Sequence, residues 1–583
     1  MATCLPPAVW RGRGHGRLCH QPSGAAGRNP CAHIAPKPGW YNAPAHDRPA
    51  IQPRGAPTPT DAAHRPTLDD AREALRAHFG YPDFRPGQEE VISAVLSGQD
   101  CLAVMPTGAG KSVCYQVPAA VLGGLTIVVS PLISLMGDQV RALKQAGIRG
   151  SYLNSSLNPR QQQIVLQRAL GGWYDLMYVA PERLRDPRFC AFAAQAHVPL
   201  LAVDEAHCVS QWGQDFRPAY QDIAGFAEGL PGRPPVVALT ATATARVRQD
   251  VVSLLRLRQP HVVVSGFDRP NLRLASFELT PKQRRQWVAS YVRRHAGQSG
   301  IVYGTTRRAV DELAEALQDE GLSAVAYHAG YDTATRAEAQ ERWVRDDVQV
   351  MVATNAFGMG LDKSDVRFVI NCGLPQSVEE YYQEAGRAGR DGEPAECYLL
   401  WSRGDIRTCH FLIENTEWGE GVSPQEAALL QERRERLLGA MIGYAMSTSC
   451  LRRRILSYFG QDQAVSATCD CSVCAHETPD RYLRPARRTT FGAGGRARPD
   501  VATDADDRPA GADEELFQRL CALRKRLADE QGVPPYVVFS DATLRGMVRR
   551  RPRTEEDLLS VSGVGQVKLE RYGVAFLAEL RGE

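Results

Sequence analysis

The sequence predicts an α/β protein in which two tandem parallel-sheet domains are followed by a helical module and a small all-α domain. Between about residues 69 and 400, short runs rich in β-branched residues alternate with longer stretches of helical pattern. Such alternation is typical of parallel sheets whose strands are joined by crossover helices. Beyond residue 403 the strand-like runs cease, and the helical stretch that follows ends in a cluster of cysteines.

Seven short apolar runs are predicted to be strands of the two sheets. They fall into two groups, which we assign to a first domain at residues 67–265 and a second domain at residues 266–402. The runs lie at residues 101–104, 126–130, 200–203, 236–239, 300–303, 348–353 and 366–371.

The rest of the chain differs in composition from the two α/β domains. Residues 1–66 are rich in Pro, Gly, Arg and His without periodicity, which predicts a disordered tail. A plain tail, or a start codon placed too far upstream, explains this stretch better than an organelle transit peptide, because no amphipathic helix is evident. Residues 403–478 are predicted to form the helical module, 479–512 a linker, and 513–583 a compact helical domain.

The charge of the chain is almost balanced, with a net charge of +3 from 69 basic and 66 acidic residues. Residues 1–66 hold eight Arg and Lys but only two Asp, so the remainder carries a small negative charge. A nucleic-acid partner must therefore be argued from local sites. The sequence has no apolar run of about 18 residues and no charged-then-apolar start, which argues against a membrane span and a secretory signal.

A phosphate-binding loop is predicted at residues 105–112, which read Met-Pro-Thr-Gly-Ala-Gly-Lys-Ser and follow an apolar strand. Glycines let backbone N–H groups turn toward phosphates, Lys111 can reach the β and γ phosphates, and Ser112 can ligate Mg²⁺. A helical stretch follows, so a solvated lysine in an ordinary turn is the weaker interpretation. The predicted nucleotide-binding residues of this loop are Thr107, Gly108, Ala109, Gly110, Lys111 and Ser112.

An acidic pair follows the third of the predicted strands. Asp204 stands where a parallel strand meets its loop, the edge at which ligand-binding residues collect in open α/β sheets. We expect Asp204 to hold Mg²⁺, usually through water, and Glu205 to polarise the attacking water. His207 is expected to couple this site to the neighbouring segment.

Two arginines in the second domain are candidates for stabilising the transferred phosphate. Arg387 and Arg390 lie three residues apart, and we predict that they project from one helical face. They would reach the γ-phosphate only when the two domains close, which makes hydrolysis conditional on closure. Two solvated arginines on a helix are the alternative.

An aromatic and basic loop follows the acidic pair, and we refer to residues 210–217 as the aromatic loop. Trp212 and Phe216 offer flat faces on which bases can stack, and Arg217 can contact a phosphate or an aromatic ring. Ser210 completes the predicted DNA-binding set. The alternative is that the two rings belong to the core, although the Gln, Gly, Asp and Arg around them are poor core neighbours.

Four cysteines after residue 449 suit a structural zinc site. Cys450, Cys469, Cys471 and Cys474 offer the four thiolates of a tetrahedral Zn²⁺ centre. Their distal spacing is Cys-x-Cys-x-x-Cys, so His476 stays open as a replacement for one of the close pair. Binding of the metal is expected to fold a segment whose apolar core is small.

These motifs together resemble the RecQ DNA helicases of helicase superfamily 2. The resemblance covers about residues 69–478 and 513–583. Its most specific stretches are Phe-Gly-Tyr-Pro-Asp-Phe-Arg-Pro-Gly-Gln at 79–88, the segment 204–218, and Ala-Phe-Gly-Met-Gly-Leu-Asp-Lys at 356–363. The resemblance implies two RecA-like domains, a zinc-binding module and a C-terminal HRDC domain.

The resemblance also implies roles for residues that composition does not explain. In the family an aromatic ring stacks on adenine while Arg and Gln read its edge, and those roles fall on Tyr81, Arg85 and Gln88. Residues 238–243, Ala-Leu-Thr-Ala-Thr-Ala, are similar to the motif that links hydrolysis to strand separation. In the HRDC-like region, residues 558–565 are predicted to form a helix, a Gly-rich turn and the start of another helix. This turn and the nearby charges of 549–551, Lys568 and Arg571 favour a phosphate contact or, equally, a protein contact.

One domain of the family pattern has no counterpart here. RecQ proteins usually carry a winged-helix domain between the zinc module and the HRDC domain, but only residues 475–515 are available, too few for a domain. The resemblance implies an ATP-dependent 3′–5′ DNA helicase of recombination and repair, and the missing domain predicts that it unwinds weakly. An RNA-directed helicase and a DNA-binding remodelling scaffold are the alternatives.

The expected cofactors are ATP, Mg²⁺ and Zn²⁺. The expected partners are single-stranded DNA, tailed or forked duplex DNA and a single-strand-binding protein. We expect a monomer without a membrane partner, cytoplasmic and, in a prokaryote, associated with the nucleoid.

Overall fold

The protein is described here by a computed structural model. It describes residues 65–131, 133–212, 216–358, 363–416, 423–461, 469–483 and 511–582. The predicted tail lies almost wholly outside these ranges, as do residues 484–510 of the predicted linker. Within the described residues, no helix is both long enough and apolar enough to cross a membrane.

The first α/β domain is built on a seven-stranded, fully parallel sheet with the strand order β3-β4-β2-β5-β6-β1-β7. The four runs predicted here are strands, and three further strands, β3, β4 and β7, were not predicted. The strands are β1 Cys101–Val104, β2 Thr126–Val129, β3 Gly150–Leu153, β4 Leu176–Val179, β5 Leu201–Val203, β6 Val236–Thr240 and β7 His261–Val264.

The α-helices described in this domain cover the two faces of its sheet. Successive residues of β1 enter different cores, since Leu102 and Val104 join one apolar cluster while Cys101 and Ala103 join another. Both faces are therefore buried, which is the usual state of a parallel sheet. The helices are α1 Leu68–Phe79, α2 Gln88–Leu96, α3 Val113–Val121, α4 Ile133–Gln145, α5 Pro159–Leu170, α6 Pro187–Gln195, α7 Asp222–Gly229 and α8 Ala245–Leu254.

The first helix has sharply defined ends. Thr67 and Asp70 form a reciprocal capping box at its start. Its chain leaves at Gly80, whose φ of 70° is left-handed and favours glycine. Tyr81, the residue expected at adenine, directly follows Gly80 in the chain.

The second α/β domain contains a six-stranded parallel sheet with the order β10-β11-β9-β12-β13-β8. All three runs predicted here are strands. The elements are β8 Leu272–Glu278, α9 Pro281–Arg294, β9 Ser299–Gly304, α10 Arg307–Asp319, β10 Ala324–Tyr327, α11 Thr333–Val344, β11 Val350–Ala353, β12 Val366–Cys372, α12 Val378–Ala385 and β13 Ala395–Trp401.

The helical module packs on the second domain. Its helices are α13 Arg403–Glu414, α14 Pro424–Ala445 and α15 Leu451–Tyr458. After the cysteines, the short helix α16 Asp480–Leu483 buries Tyr482 against Trp287 and Tyr291, with ring centroids 4.8 and 5.1 Å apart. These four residues fall inside the predicted linker, but they are anchored on the second domain.

The C-terminal helical domain, residues 511–582, is all-α, as predicted. It has an apolar core of its own, to which Leu520, Phe539, Leu544 and Phe576 belong. The predicted order of helix, Gly-rich turn and helix is present near its end. Its helices are α17 Gly511–Gln531, α18 Pro535–Val538, α19 Asp541–Arg550, α20 Glu555–Leu559 and α21 Gln566–Arg581.

Candidate nucleotide cleft and aromatic loop

A cavity of about 730 Å³ lies between the two α/β domains. The phosphate loop, residues 105–112, and the acidic pair line it from the first domain, while Arg387 and Arg390 line it from the second. Predicted site residues that are far apart in sequence therefore share one cavity. From the first sheet, Ser130 and Asp204 line the cavity just beyond the carboxyl ends of β2 and β5, the place where open α/β sheets bind ligands.

The phosphate loop has the backbone that anion binding requires. Gly108 and Gly110 have φ angles of 82° and 77°, which allow consecutive N–H groups to point inward. Lys111 Nζ donates to the Met105 carbonyl at 3.3 Å, and burial lowers the pKa of Lys111. The negative charge of a bound phosphate would stabilise the buried, charged form of Lys111.

The residues expected at adenine lie together beside this loop. The Arg85 guanidinium is 5.9 Å from the centre of the half-exposed Tyr81 ring. Gln88, however, is buried, and its amide donates to the Ala109 and Gly110 carbonyls at 2.9 and 3.0 Å. Its carbonyl accepts the backbone N–H of Arg85 at 2.9 Å. In this structure Gln88 therefore fixes the phosphate loop rather than presenting its amide to a base.

The acidic pair stands at the end of β5. Burial and the neighbouring Glu205 raise the pKa of Asp204 to about 7. Glu205 takes a left-handed backbone conformation with a φ of 48°. Its buried Oε2 has no hydrogen-bond partner among the described residues, which leaves an acceptor for water. With the Ser112 hydroxyl lining the same cavity, these oxygens are the hard ligands that Mg²⁺ prefers.

A path of polar contacts leads from the acidic pair to the second domain, and its steps beyond His207 are hydrogen bonds. His207 Nδ1 lies 2.8 Å from the Thr240 hydroxyl and 3.4 Å from Glu205 Oε2. The Thr240 hydroxyl donates to the Thr242 carbonyl at 3.1 Å. The Thr242 hydroxyl then accepts from Gln383 Nε2 of α12 at 3.2 Å. The structure thus places His207 between Glu205 and Thr240, and its expected coupling role stays a prediction.

The two arginines of the second domain do not project from one helical face, so that prediction was wrong. Helix α12 ends at Ala385, and residues 386–392, here called the arginine turn, form consecutive turns. A Cβ on Gly108 would lie 3.3 Å from the Arg390 Cα, so the turn contacts the phosphate loop directly. Arg387 is buried, and its Nε and the Tyr303 hydroxyl both lie 2.7 Å from where a Cβ on Gly358 would stand.

Sequence reasoning missed Arg269, which joins the phosphate loop to the arginine turn. One of its terminal nitrogens donates to the Thr107 carbonyl and, at 3.2 Å, to the Gly386 carbonyl. The other donates to the carbonyls of Ala388 and Gly389 at 3.0 and 2.8 Å. The available signal was its position, an arginine at the junction between the two α/β domains.

The aromatic loop follows the acidic pair and packs under two arginines. The Arg246 guanidinium lies 3.3 Å from the centre of the Trp212 ring, and that of Arg433 on α14 lies 5.6 Å away. The ring is partly buried against the main core. The Arg246 guanidinium thus already covers one face of the ring, whereas the sequence predicted faces open to bases.

The other predicted DNA-binding residues lie around this ring. Ser210 is buried and donates to Asp250 at 2.5 Å while accepting the Trp212 N–H at 3.0 Å. Arg217 donates to the Pro131 carbonyl at 2.9 Å. Phe216 is partly buried. Residues 213–215 of the loop lie outside the described residues.

The four predicted cysteine ligands come together in space. The Sγ atoms of Cys450, Cys469, Cys471 and Cys474 all lie within 4.8 Å of one another. Burial acts to raise the pKa of Cys471, but backbone N–H groups of Cys474 and Leu451 outweigh it and lower that pKa to about 7. A thiolate is the form that binds metal. Among the described residues, His476 is not part of this cluster.

Four family models match successive parts of the chain. Residues 85–251 match the DEAD/DEAH box helicase model and residues 283–392 the helicase conserved C-terminal domain. Residues 403–475 match the RecQ zinc-binding model, and residues 513–580 match the HRDC domain.

Two bacterial relatives are similar over most of the chain. The ATP-dependent DNA helicase RecQ of Bacillus subtilis is 37% identical over 598 residues, with 88% of this chain and 99% of the relative covered. The protein of the same name from Pasteurella multocida is also 37% identical, with 88% and 94% covered. The chain belongs to the RecQ family of ATP-dependent DNA helicases.

The solved structures agree with this assignment at the level of the fold. The DEAD-box helicase Mss116 bound to ssRNA and UDP-BeF aligns with a TM-score of 0.50 and 16% identity, covering 68% of this chain and 90% of that one. At this identity the likeness shows the fold alone. The two parallel sheets of this RecQ protein are thus RecA-like domains.

Membership of the RecQ family also accounts for the cofactors that were expected. An ATP-dependent helicase uses ATP with Mg²⁺, for which the oxygens of the cleft are suited. The cysteine cluster fits Zn²⁺, because four sulfur atoms at this separation can surround one ion as a tetrahedron. DNA is the substrate on which the helicase relatives act.

Proposed function

We propose that this RecQ-family helicase hydrolyses Mg-ATP in the cleft between its RecA-like domains and moves 3′ to 5′ along single-stranded DNA. The observation that carries the proposal is the contact of the arginine turn with the phosphate loop, where a Cβ on Gly108 would lie 3.3 Å from the Arg390 Cα. Residues from both domains therefore face the same phosphates, and hydrolysis depends on how the domains meet. The 3′–5′ polarity rests on the family resemblance.

Each of these cleft residues has a separate role in the hydrolysis of ATP. Lys111 and the N–H groups of the phosphate loop hold the β and γ phosphates. Ser112 and Asp204 would hold Mg²⁺, which neutralises phosphate charge when bound. Glu205 orients the attacking water through its buried Oε2, and Arg390 stabilises charge on the transferred phosphoryl group.

Translocation requires that ATP hydrolysis in the cleft be coupled to the part of the protein that contacts DNA. We assign this coupling to the path from Glu205 through His207, Thr240 and Thr242 to Gln383 of the second domain. Loss of the γ-phosphate changes the surroundings of Glu205. The 3.4 Å contact of Glu205 with His207, and the hydrogen bonds from His207 onward, transmit that change to α12. The aromatic loop begins three residues beyond His207, so DNA contact and water orientation are adjacent in the chain.

The alignment supports the absence of a winged-helix domain. The Bacillus subtilis alignment has 598 positions but covers 88% of this chain, about 513 residues, so roughly 85 positions have no residue here. Only residues 484–510 separate α16 from α17, fewer than the roughly 40 below which a domain rarely folds unaided. We propose that the protein translocates on DNA but separates long duplexes poorly.

The central test of the proposed function is ATP hydrolysis with and without nucleic acid. Single-stranded DNA should stimulate hydrolysis more than single-stranded RNA of the same length. Lys111→Ala should lower the DNA-stimulated rate by at least about a hundredfold, because a preorganised charge at the reacting phosphate is lost. The matched control is Lys282→Ala, an exposed lysine on α9. Undiminished hydrolysis by Lys111→Ala would refute the site.

Unwinding assays test the missing domain separately. A 3′-tailed duplex of about one helical turn should be opened, whereas a blunt duplex and a long tailed duplex should not be opened by the protein alone, because each further base-pair step adds stacking energy to be overcome. Addition of a single-strand-binding protein should extend the length that is opened, by trapping the separated strand. Robust opening of long duplex by the purified protein would contradict the weak-unwinder proposal.

Two finer expectations complete the proposal. We propose that the protein acts as a monomer, since the cleft and both of its walls come from one chain. We propose that it works at the nucleoid, where its DNA substrate lies.

A further inference from the structure

The C-terminal helical domain contacts the first RecA-like domain where the nucleotide-binding segment begins. The Gly563 N–H donates to the Gly80 carbonyl at 3.1 Å. Gly80 and Gly565 then meet backbone to backbone: a Cβ on Gly80 would lie 2.3 Å from the Gly565 nitrogen. Tyr81, the residue proposed for adenine, directly follows this contact. The turn between α20 and α21 therefore contacts the first RecA-like domain directly beside Tyr81.

The same helical domain contacts the second RecA-like domain through charged groups. Lys525 Nζ donates to the Asp347 carboxylate at 2.8 Å and to the Asp346 carbonyl at 3.2 Å. The buried Arg524 lies 3.7 Å from the Asp365 carboxylate. One small domain thus bridges both halves of the helicase.

The Arg524 contact extends into a buried charge network. Lys363 has no exposed side-chain surface and pairs with Asp346 at 2.5 Å and with Asp365 at 3.0 Å. Arg524 also donates to Asp541 of its own domain at 2.8 Å. A buried carboxylate that loses one of its cations becomes costly, so Asp365 favours the docked arrangement.

The bridging domain also forms part of the cavity wall. Thr543, Arg549, Ser562 and Lys568 line the same cavity as Lys111 and the other phosphate-loop residues. Burial lowers the pKa of Lys568 to about 8, and its ammonium lies 5.5 Å from the centre of the Phe539 ring. The wall facing the nucleotide therefore includes basic groups from the C-terminal domain.

We propose that the docked C-terminal helical domain is the outer wall of the nucleotide cavity and gates the release of nucleotide. Because it is fixed to both RecA-like domains, the cleft cannot widen while all of these contacts hold. Release of ADP then requires undocking, or at least loosening, of this domain. This inference rests on the proposed function, since it takes the cleft to be the ATP site.

A steric test uses the glycine contact. A Cβ on Gly565 would have its nearest neighbours at 3.0 to 3.2 Å, and all three belong to Ala77 and Gly80 of the first domain. Gly565 has a φ of −95°, which any residue can adopt, so Gly565→Leu should disturb the interface and not its own domain. The control is Val574→Leu, at a position on α21 whose side chain is 75% exposed.

The measurement is the dissociation rate of mant-ADP, a fluorescent ADP, chased with excess ATP in the absence of DNA. Gly565→Leu should release mant-ADP about tenfold faster than the wild type, which corresponds to ~1.4 kcal/mol of lost docking energy. Val574→Leu should release it at the wild-type rate. Leaving out DNA separates gating from any contact of this domain with nucleic acid.

A charge exchange tests the other side of the bridge. Lys525→Glu and Asp347→Lys should each accelerate release by about two- to fivefold, the range expected for a partly exposed ion pair. The double variant should return the rate toward that of the wild type. A purely structural effect of either substitution would not be corrected by the other.

The outcomes separate this inference from the proposed function. If Gly565→Leu and Lys525→Glu both release mant-ADP at the wild-type rate, the gate is refuted. If the wild type fails to bind mant-ADP, or Lys111→Ala binds it equally well, the assignment of the cleft fails instead. Faster release in both variants with rescue in the charge exchange establishes the gate.

Discussion

Single residues in the cleft show what the sequence reveals and what it conceals. The spacing of Gly108, Gly110 and Lys111 was sufficient to predict a phosphate loop, because the backbone itself performs the binding. The orientation of Gln88 was not predictable, since its amide bonds to the carbonyls of a loop about twenty residues away. Local motifs therefore identify the residue types, while the hydrogen-bond partners depend on the folded chain.

Arg269 shows the same limit of prediction from sequence, but in this case the residue itself was missed. It belongs to no motif that we used, yet it hydrogen-bonds both RecA-like domains within the cleft. Each contact is to a backbone carbonyl, and carbonyls leave no trace in the sequence. Only the position of the arginine between the domains hinted at its role.

Replacement of Arg269 by lysine should slow hydrolysis without preventing nucleotide binding. A lysine keeps the charge but lacks the planar fork that serves the Thr107 carbonyl and the arginine turn together. The loss of one or two buried, charge-assisted hydrogen bonds should lower kcat by about ten- to a hundredfold. The measurement is kcat and KM for ATP from steady-state ATPase kinetics at saturating single-stranded DNA.

The control for this substitution is Arg285→Lys, at an exposed position of α9. A rise in KM with unchanged kcat would contradict the prediction. It would mean that Arg269 helps to hold nucleotide and does not align the two domains.

At the scale of elements, the sheets were more predictable than the loops between them. All seven predicted runs are strands, because buried parallel strands are apolar and β-branched throughout. The arginine turn was predicted as helix because its Arg-x-x-Arg spacing fits a helical period. The turn contains three glycines, and those at 389 and 392 have φ angles of 55° and 88°, which an α-helix does not adopt.

The aromatic loop was predicted in its composition but not in its packing. Arg246 comes from α8 and Arg433 from α14, two elements separated from the loop in sequence. The Arg246 guanidinium, 3.3 Å from the ring centre, lies where a base could stack on Trp212. Nucleic acid that stacks on this face of the ring must therefore displace Arg246 from it.

Trp212→Ala should weaken binding of single-stranded DNA. The loss of one stacked base costs about 1–3 kcal/mol, so the DNA concentration that gives half-maximal ATPase stimulation should rise by roughly five- to a hundredfold. Trp173→Ala is a matched control, because that half-exposed ring also lies beside an arginine, Arg168, at 5.9 Å. An unchanged DNA requirement in Trp212→Ala would remove the aromatic loop from the DNA site.

At the scale of the whole molecule, the C-terminal helical domain has an apolar core separate from those of the helicase. Its core cluster consists of residues between Leu516 and Leu577, and none of the described residues of the RecA-like domains joins it. The order of domains could be predicted from composition and motifs. The position of the last domain over the cleft could not, since its contacts depend on two glycines, on charged groups such as the buried Arg524, and on Tyr536, which packs against the helicase core.

A chain shortened to end at residue 483 should keep the unfolding transition of the helicase. Every fully buried apolar residue described in the cores of the RecA-like domains is retained, and Tyr482 remains in its aromatic site. Differential scanning calorimetry should therefore show the helicase transition within a few degrees of its position in the full chain. Loss of that transition would show that the C-terminal domain is required for the fold rather than docked on it.

The meeting of Gly80 with Gly565 has a consequence for how this protein can diverge. A Cβ on Gly80 would overlap the Gly565 backbone, and a Cβ on Gly565 would crowd Gly80 at 3.0 Å, so a larger side chain at either position disturbs the contact. Among close relatives that dock the domain in this way, glycine should be found at both positions. Relatives that have lost one of these glycines should also have other residues at the second position. The residues at the two positions would then indicate whether the C-terminal domain of a relative docks over the nucleotide cleft.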